Sequence, residues 1–326
     1  MSAPLILAVP SKGRLQENAA DFFARAGLTI KRKGGARNYR GRIAELENVE
    51  IAFLSASEIT NELAEGNVHL GVTGEDLVRE RIPDSNGIVE LVTPLGFGHA
   101  DVVIAVPRAW IDVRSMTDLV DVAQGYPGAH GRRLRVATKY STLTSRFFAG
   151  HNLSEYRLVE SLGATEGAPE AGSAEIIVDI TSTGSTLAAN DLKVPQGCTI
   201  LASQANLVAS LRAPWTAAAR QALGHMLDQI AAEEKARLIN EIRADWNVDM
   251  PISTVKNIAE SSSSELIEMA GNHAILHVPK GEIYQVAALL KSAGAIRTSV
   301  FALNYVFEQE NKLLADVISK LPPELK

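Results

Sequence analysis

Short apolar runs alternate with segments of helical period through the first two hundred residues, and this constrains the fold more than any other feature. Strands interleaved with helices build layered α/β architectures around a mainly parallel sheet. Runs at 5–9, 49–54 and 68–73 read as strands, segments 16–26, 58–65 and 75–81 as helices, and 11–15 as a polar turn. Gly66 stands where a helix C-cap is expected. A second α/β unit opens near Gly96-Phe97-Gly98. Its expected strands are 102–106, 135–138 and 156–160, with a helix at 142–149 and a Gly- and charge-rich loop at 124–133. One more strand is expected at 199–204. Glycine-marked crossings near 96 and 190 imply two lobes joined by a hinge, and clefts of that kind are where ligands sit.

After Pro214 the pattern changes. Residues 216–242 read as one long helical run, 251–264 as a polar stretch with four consecutive serines, and 274–303 as β-α-β. A last helix at 311–321 stops at Pro322-Pro323. The domain division is therefore 1–96 as a first lobe completed by 191–213, 97–190 as a second lobe, and 214–326 as an α+β domain for assembly or regulation.

Composition narrows the class. With 46% hydrophobic and 21% charged residues, the chain reads as an ordinary globular protein. Aromatics at 5% supply few stacking surfaces, and a net charge of −6 disfavours nucleic acid or an anionic membrane as partner. The single Cys198 excludes an intramolecular disulfide or a multi-cysteine metal site and fits a reducing compartment. No signal-peptide pattern or 18-residue apolar run is present. The expectation is a cytoplasmic protein.

Residues 176–187 carry the strongest chemical signal. An apolar strand ends on Asp179, and a turn rich in hydroxyls, Ser182-Thr183-Gly184-Ser185-Thr186, leads into a helix expected at 187–192. Backbone N–H groups of such a turn favour an anion, and four hydroxyls add donors for phosphate oxygens. Asp179 is placed to accept hydrogen bonds from vicinal ribose hydroxyls. An ordinary strand–turn–helix junction with an N-cap would also use Ser and Thr. The density of hydroxyls, the central glycine and the strand-terminal carboxylate favour the sugar-phosphate reading.

Other motifs add to it. Ser11-Lys12-Gly13-Arg14-Leu15 sets two cations beside a glycine, suited to a pyrophosphate or to a solvated basic turn. Leu70 to Asp76 ends a strand in a Gly-acid turn at Gly74-Glu75-Asp76. Lys139-Tyr140 follows a strand, and Glu166 lies in a loop. There is no P-loop, no G-x-S-x-G elbow, and the Gly96-Phe97-Gly98 segment lacks the third glycine of a dinucleotide loop. His273 and His277 read as structural residues of a strand.

Taken in order, these pieces resemble the ATP phosphoribosyltransferase family. The match comprises Lys12-Gly13-Arg14-Leu15, the stretch Leu70 to Asp76, Gly96-Phe97-Gly98, Val136 to Tyr140, Glu166-x-Ala168-Pro169 and Asp179 through Leu192. The resemblance implies a two-lobed, periplasmic-binding-protein-like catalytic core with a hinge. It implies transfer of phosphoribosyl from phosphoribosyl pyrophosphate to N1 of ATP, with Mg²⁺ as cofactor. Carried over, Ser182 to Thr186 would grip the 5′-phosphate and Asp179 the ribose. Glu166 and Tyr140 would line the nucleotide site, with Lys12, Gly13, Arg14, Gly74, Glu75 and Lys139 as further substrate contacts. Glu166 or Asp179 would stabilise positive charge, and no covalent nucleophile is needed. Where the family commonly carries an arginine, this chain has Phe53 to Thr60, which implies either weaker substrate binding or a charge supplied by Arg32, Arg37 or Arg40. After Gly98 it has Ala100-Asp101 instead of Cys-Arg, and His69 replaces an Asp. The length resembles the family's long form, implying a homo-oligomer (hexamer or dimer) inhibited by histidine. A separate regulatory subunit, a non-catalytic anion-binding protein of the same architecture, and a transferase for another base stay open as alternatives.

Overall fold

The computed structural model describes residues 3–33, 39–161 and 163–322. Its contacts divide the chain into two units. One takes in residues up to Phe22, Ile30–Arg220 and the segment from Asp316, the other Phe23–Thr29 and Gln221–Ala315.

The first unit begins β1 (Leu5–Pro10), α1 (Gly13–Arg25), β2 (Ile30–Arg32), β3 (Arg40–Ile43) and β4 (Val49–Leu54). It continues α2 (Ala56–Glu65), β5 (Leu70–Gly74), α3 (Glu75–Arg81) and β6 (Val89–Pro94). The chain then crosses to a second sheet. There it forms β7 (Asp101–Pro107), α4 (Met116–His130), β8 (Leu134–Thr138), α5 (Ser141–Gly150) and β9 (Tyr156–Glu160). Next come β10 (Ile176–Thr181), α6 (Ser185–Ala189), β11 (Leu192–Lys193) and β12 (Thr199–Leu201). It returns as β13 (Ala205–Ser210) to complete the first sheet, whose order is β2-β3-β4-β1-β5-β13-β6. Only β4, β1 and β5 run parallel; β13 is antiparallel to both its neighbours. Leu5, Leu7, Ala8 and Val9 are all buried, as a strand covered on both faces requires. The second sheet has the order β11-β7-β10-β8-β9, with β12 also pairing β7.

Local chemistry explains the boundaries. Ser55 and Glu58 form a reciprocal capping box at the start of α2, and Gly66 ends it with φ 79°. A Cβ there would also stand 2.7 Å from the Arg212 carbonyl oxygen, so glycine is required twice over.

Three expectations change within this unit. The segment 124–133, read as a loop, is largely the end of α4, which runs through Pro127. A Ser115–Asp118 capping box starts that helix, and Met116, Leu119, Ala123 and Tyr126 bury one face at helical spacing. Residues 191–213 do not all return to the first lobe: β11 and β12 pair antiparallel with β7, so the return crossing lies at 202–204. The boundary at 214 also moves. Thr216 donates to the Ala3 carbonyl, Trp215 Nε1 to that of Ser210, and Lys320 pairs with Glu90 at 2.6 Å, so these residues stay with the first unit.

α7 (Ala217–Leu238) leads into the second unit. There β14 (Ile239–Asp245), α8 (Ile252–Ser261), β15 (Glu265–Ala270), β16 (His273–Pro279), α9 (Ile283–Ser292) and β17 (Arg297–Ala302) follow, with α10 (Lys312–Lys320) near the chain end. The sheet order β15-β16-β14-β17, with every pair antiparallel, is the β-α-β-β-α-β ferredoxin-like arrangement. The long helical run expected to 242 stops at Leu238, where the pattern switches to period two and buries Ile242 and Ala244. The polar stretch 251–264 contains α8, anchored by Val255 and Ala259 at i, i+4. Among the described residues, no helix is long and apolar enough to cross a membrane.

Candidate active site

β10 runs parallel to β8, and its carboxyl end opens onto a cavity of about 240 Å³. Glu166, Asp179, Ile180, Thr181, Ser182, Thr183, Ser185, Thr186 and Leu187 line it. Ligands in open α/β sheets collect at such strand ends. Buried Leu187 packs with Ile177, Ala105 and Leu192, which fixes α6 against the sheet and leaves the hydroxyl turn facing solvent. Gly184 takes φ 74°, and its N–H donates to Thr181 Oγ1 at 2.9 Å. Thr183 and Ser185 share a 2.9 Å hydroxyl contact, and Ser182 Oγ donates to the His99 carbonyl. The turn is therefore pre-shaped by its own side chains, with hydroxyls available to re-pair onto a ligand. Helix α6 has five residues, so these hydroxyls rather than a helix terminus give the cavity its polarity.

Asp179 is the cavity's main charge. Its side chain is 15% exposed, Oδ1 accepts from the Ile180 N–H at 2.8 Å, and Lys139 Nζ lies 3.5 Å away. Lys139 belongs to the β8–α5 turn, so that turn sets a cation beside the carboxylate. Glu166, in a short 3₁₀ turn at Thr165–Gly167, is the second carboxylate facing the cavity. Among the described residues, no group of three or more His, Cys, Asp or Glu is arranged to hold a metal ion.

Tyr140 is not in the cavity wall. It is 2% exposed, and its hydroxyl donates to Asp76 Oδ2 at 2.8 Å. Burial, and then the negative charge of Asp76, push its phenol far above the ordinary value, so it stays a donor. Asp76, 7% exposed, also accepts from Ser203 Oγ at 3.0 Å, and its backbone N–H donates to the same oxygen. This junction joins α3 of the first sheet's layer, the start of α5 in the second, and the return crossing. Glu80 reinforces it by accepting from the backbone N–H groups of Thr142 and Leu143 at the start of α5. Gly74 permits the arrangement, because a Cβ there would meet Asp76 Oδ1 at 2.2 Å. Asp76, Ser203 and Glu80 had no assigned role in the sequence. The close Gly74-x-Asp76 spacing was the available signal, and Ser203 lies 127 residues from its partner.

The remaining candidates are dispersed. Lys12, Gly13 and Arg14 sit exposed where β1 passes into α1, on the first sheet, and do not line the cavity. Glu75 pairs with Arg79 at 3.1 Å. Of the expected substitutes for the missing cation, Arg32 stacks over Phe53 and donates to the Ser11 carbonyl, and Arg40 lies 3.4 Å from Glu50. Arg37 lies outside the described residues. His69 is structural: its Nδ1 accepts from the Ile6 N–H and its Nε2 faces the Pro214 carbonyl, while burial lowers its pKa. His273 pairs with Asp245 at 2.8 Å. Burial raises the Cys198 thiol to about 12, which leaves it inert.

A family model described as HisG, ATP phosphoribosyltransferase, matches residues 55–232. The chain belongs to the ATP phosphoribosyltransferase family. It is 53% identical over 322 residues to an ATP phosphoribosyltransferase of Bradyrhizobium diazoefficiens, across 97% of this chain and 98% of that one. To one of Nitrobacter hamburgensis it is 52% identical over 332 residues, across 99% and 100%. Among solved structures it resembles the ATP phosphoribosyl transferase (HisG:HisZ) complex of Thermotoga maritima, with TM-score 0.52 and 22% identity over 69% of this chain and 95% of that one. That likeness supports a shared two-lobed fold. Within this family, the cavity of hydroxyls and carboxylates is the part of the chain whose chemistry suits a phosphorylated sugar.

Proposed function

We propose that the chain transfers the phosphoribosyl group of phosphoribosyl pyrophosphate to N1 of ATP, giving phosphoribosyl-ATP and pyrophosphate at the start of histidine biosynthesis. The observation that carries this reading is the cavity in which Asp179 and five hydroxyl side chains converge. Ser182, Thr183, Ser185 and Thr186 take the 5′-phosphate, as neutral donors matched to its oxygens. Asp179 accepts from the vicinal ribose hydroxyls and is itself oriented by Lys139 and the Ile180 N–H. As the N1 lone pair forms the bond to C1′, the C1′–O bond breaks and its electron pair leaves with pyrophosphate. Positive charge gathers on the sugar, and Glu166 and Asp179 face it. Alignment and fixed charge supply the acceleration, and no protein nucleophile is required.

Mg²⁺ fits this site as an ion held mostly by substrate phosphates with one or two carboxylates, here Asp179 and Glu166. Bound there, it would neutralise charge on the departing pyrophosphate. Lys12, Arg14, Gly74 and Glu75 border the same reaction space once substrates draw the lobes together. The ferredoxin-like unit serves assembly of a homo-oligomer and takes histidine as feedback effector, and the enzyme works in the cytoplasm.

Pyrophosphate release by the purified chain, with phosphoribosyl pyrophosphate, Mg²⁺ and ATP, tests the reading. ATP-dependent release supports it, and slowing by histidine supports the regulatory role. Release with another base instead of ATP would reassign the acceptor. Saturable binding without release, also after adding candidate partner chains, would leave a binding protein.

A further inference from the structure

Arginine gathers at the opposite edge of the second sheet. β8 begins just after Arg132 and Arg133, and the parallel register places Leu134 beside Tyr156 and Arg135 beside Arg157. Register partners in a sheet share a face, so Arg135 and Arg157 lie side by side. With Arg132, Arg133 and Tyr156 they line a cavity of about 280 Å³. Two acids attend four guanidiniums. Glu175, its side chain 11% exposed, accepts Arg132 through two 2.9 Å bonds and Arg135 at 2.6 and 3.1 Å. Glu155 accepts Arg133 Nε at 3.1 Å. Arg157 has no hydrogen bond or ion pair among the described residues.

Charge neutralisation explains only part of this. Glu175 needs one arginine and has two, and Arg157 has no acid to serve. Two positive charges remain in excess, in a chain whose net charge is −6. The acids hold three of the guanidiniums in place, which reduces the side-chain entropy a ligand would have to freeze. Unused N–H groups, at Arg157 and the free ends of Arg133, are fork-shaped donors matched to phosphate oxygens.

We propose that the cavity of Arg132, Arg133, Arg135, Arg157 and Tyr156 is a second anion site that binds an oligophosphate, either free pyrophosphate or the phosphate tail of a nucleotide. It is separate from the hydroxyl cavity. That cavity opens at the carboxyl end of β10, level with that of β8 in the parallel register, whereas the arginines cluster at the amino end of β8, about 13 Å away along five residues of strand.

Titration calorimetry on the full-length chain, with inorganic pyrophosphate, tripolyphosphate and ADP in turn, tests this against the R133A/R157A variant. Wild type should bind pyrophosphate or ADP at two classes of site. The variant should lose one class, or bind there about tenfold more weakly, with transferase kcat and KM unchanged at low phosphate. Loss of the class seen with pyrophosphate and tripolyphosphate identifies free oligophosphate as the ligand, and loss seen only with ADP identifies a nucleotide. R157A alone, which breaks no hydrogen bond or ion pair among the described residues, should show part of the effect and guards against misfolding. Identical stoichiometry and affinity in wild type and variant would overturn the proposal. A parallel fall in transferase activity, placing the effect at the substrate site, would overturn it equally.

Discussion

The hydroxyl cavity and the Asp76 junction both centre on a carboxylate, yet they are built in opposite ways. The cavity takes most of its wall from consecutive residues between Asp179 and Leu187, and its polar atoms face solvent. The junction draws Asp76, Tyr140 and Ser203 from three distant segments and closes them away from water. A group that must meet a substrate stays accessible and can be encoded in one loop. A group that must hold two lobes in register gains from burial, because a hydrogen bond to a charge is stronger in a low dielectric and costly to leave half-made.

The contrast makes its sharpest prediction at Asp76. Asp76→Ala removes the acceptor of two buried hydroxyls and leaves both O–H donors unmatched, so the loss of stability should be about 3 kcal/mol. A lowered midpoint in urea with an unchanged slope would register it. Retention of wild-type stability would mean that the junction is incidental to the fold. Asp179→Ala should do the reverse. It should leave the melting temperature nearly untouched and raise KM for phosphoribosyl pyrophosphate about 100-fold, the equivalent of two hydrogen bonds to a charged group. Unchanged kinetics would remove the ribose role from Asp179.

A smaller change probes the same division. Tyr140→Phe deletes one donor to Asp76 while Ser203 still satisfies the other oxygen. A cost of about 1.5 kcal/mol is expected, seen in denaturant unfolding, with the KM for phosphoribosyl pyrophosphate within about twofold of wild type. A large rise in KM with intact stability would place Tyr140 at the substrate site, as the family resemblance implies.

Legibility in the sequence followed the same division. The strand–turn–helix at 176–187 could be read because strand, carboxylate and hydroxyls are contiguous, and the alternation of β1, α1, β4, α2 and β5 because each element announces its own period. Nothing in Lys139-Tyr140 reveals that Asp76, 64 residues earlier, accepts a hydrogen bond from the Tyr140 hydroxyl. In the second unit, Ile239–Asp245 was absorbed into the preceding helix, since Ala- and Leu-rich α7 carries its period up to Leu238 without a glycine or proline stop. Helix α8 is hard to see because the polar run Ser261 to Ser264 overlaps only its last residue and marks the stretch as polar. The return crossing was misplaced for a related reason: β11 has two residues and β12 three, too short to show a period.

Glu175 lies between the two regimes and should behave accordingly. It is more enclosed than the hydroxyl loop, but Arg132 and Arg135, which hold it, are 44% and 27% exposed. Burial opposes its charge; the hydrogen bonds from Arg132 and Arg135 outweigh that and bring its carboxyl down to about 2 from an ordinary 4.5. A carboxylate more acidic in the folded state stabilises the fold above its unfolded pKa. That contribution is lost as pH falls from about 4.5 towards 2, where the folded state must take up the proton. Unfolding free energy should therefore decline over that window in wild type. Glu175→Gln should flatten that part of the profile and cost about 1 kcal/mol at pH 7, less than Asp76→Ala because solvent screens the partly exposed guanidiniums. An equally steep acid limb in the variant would show that other carboxylates carry the pH dependence, and that the arginine edge holds Glu175 no more tightly than an ordinary surface pair.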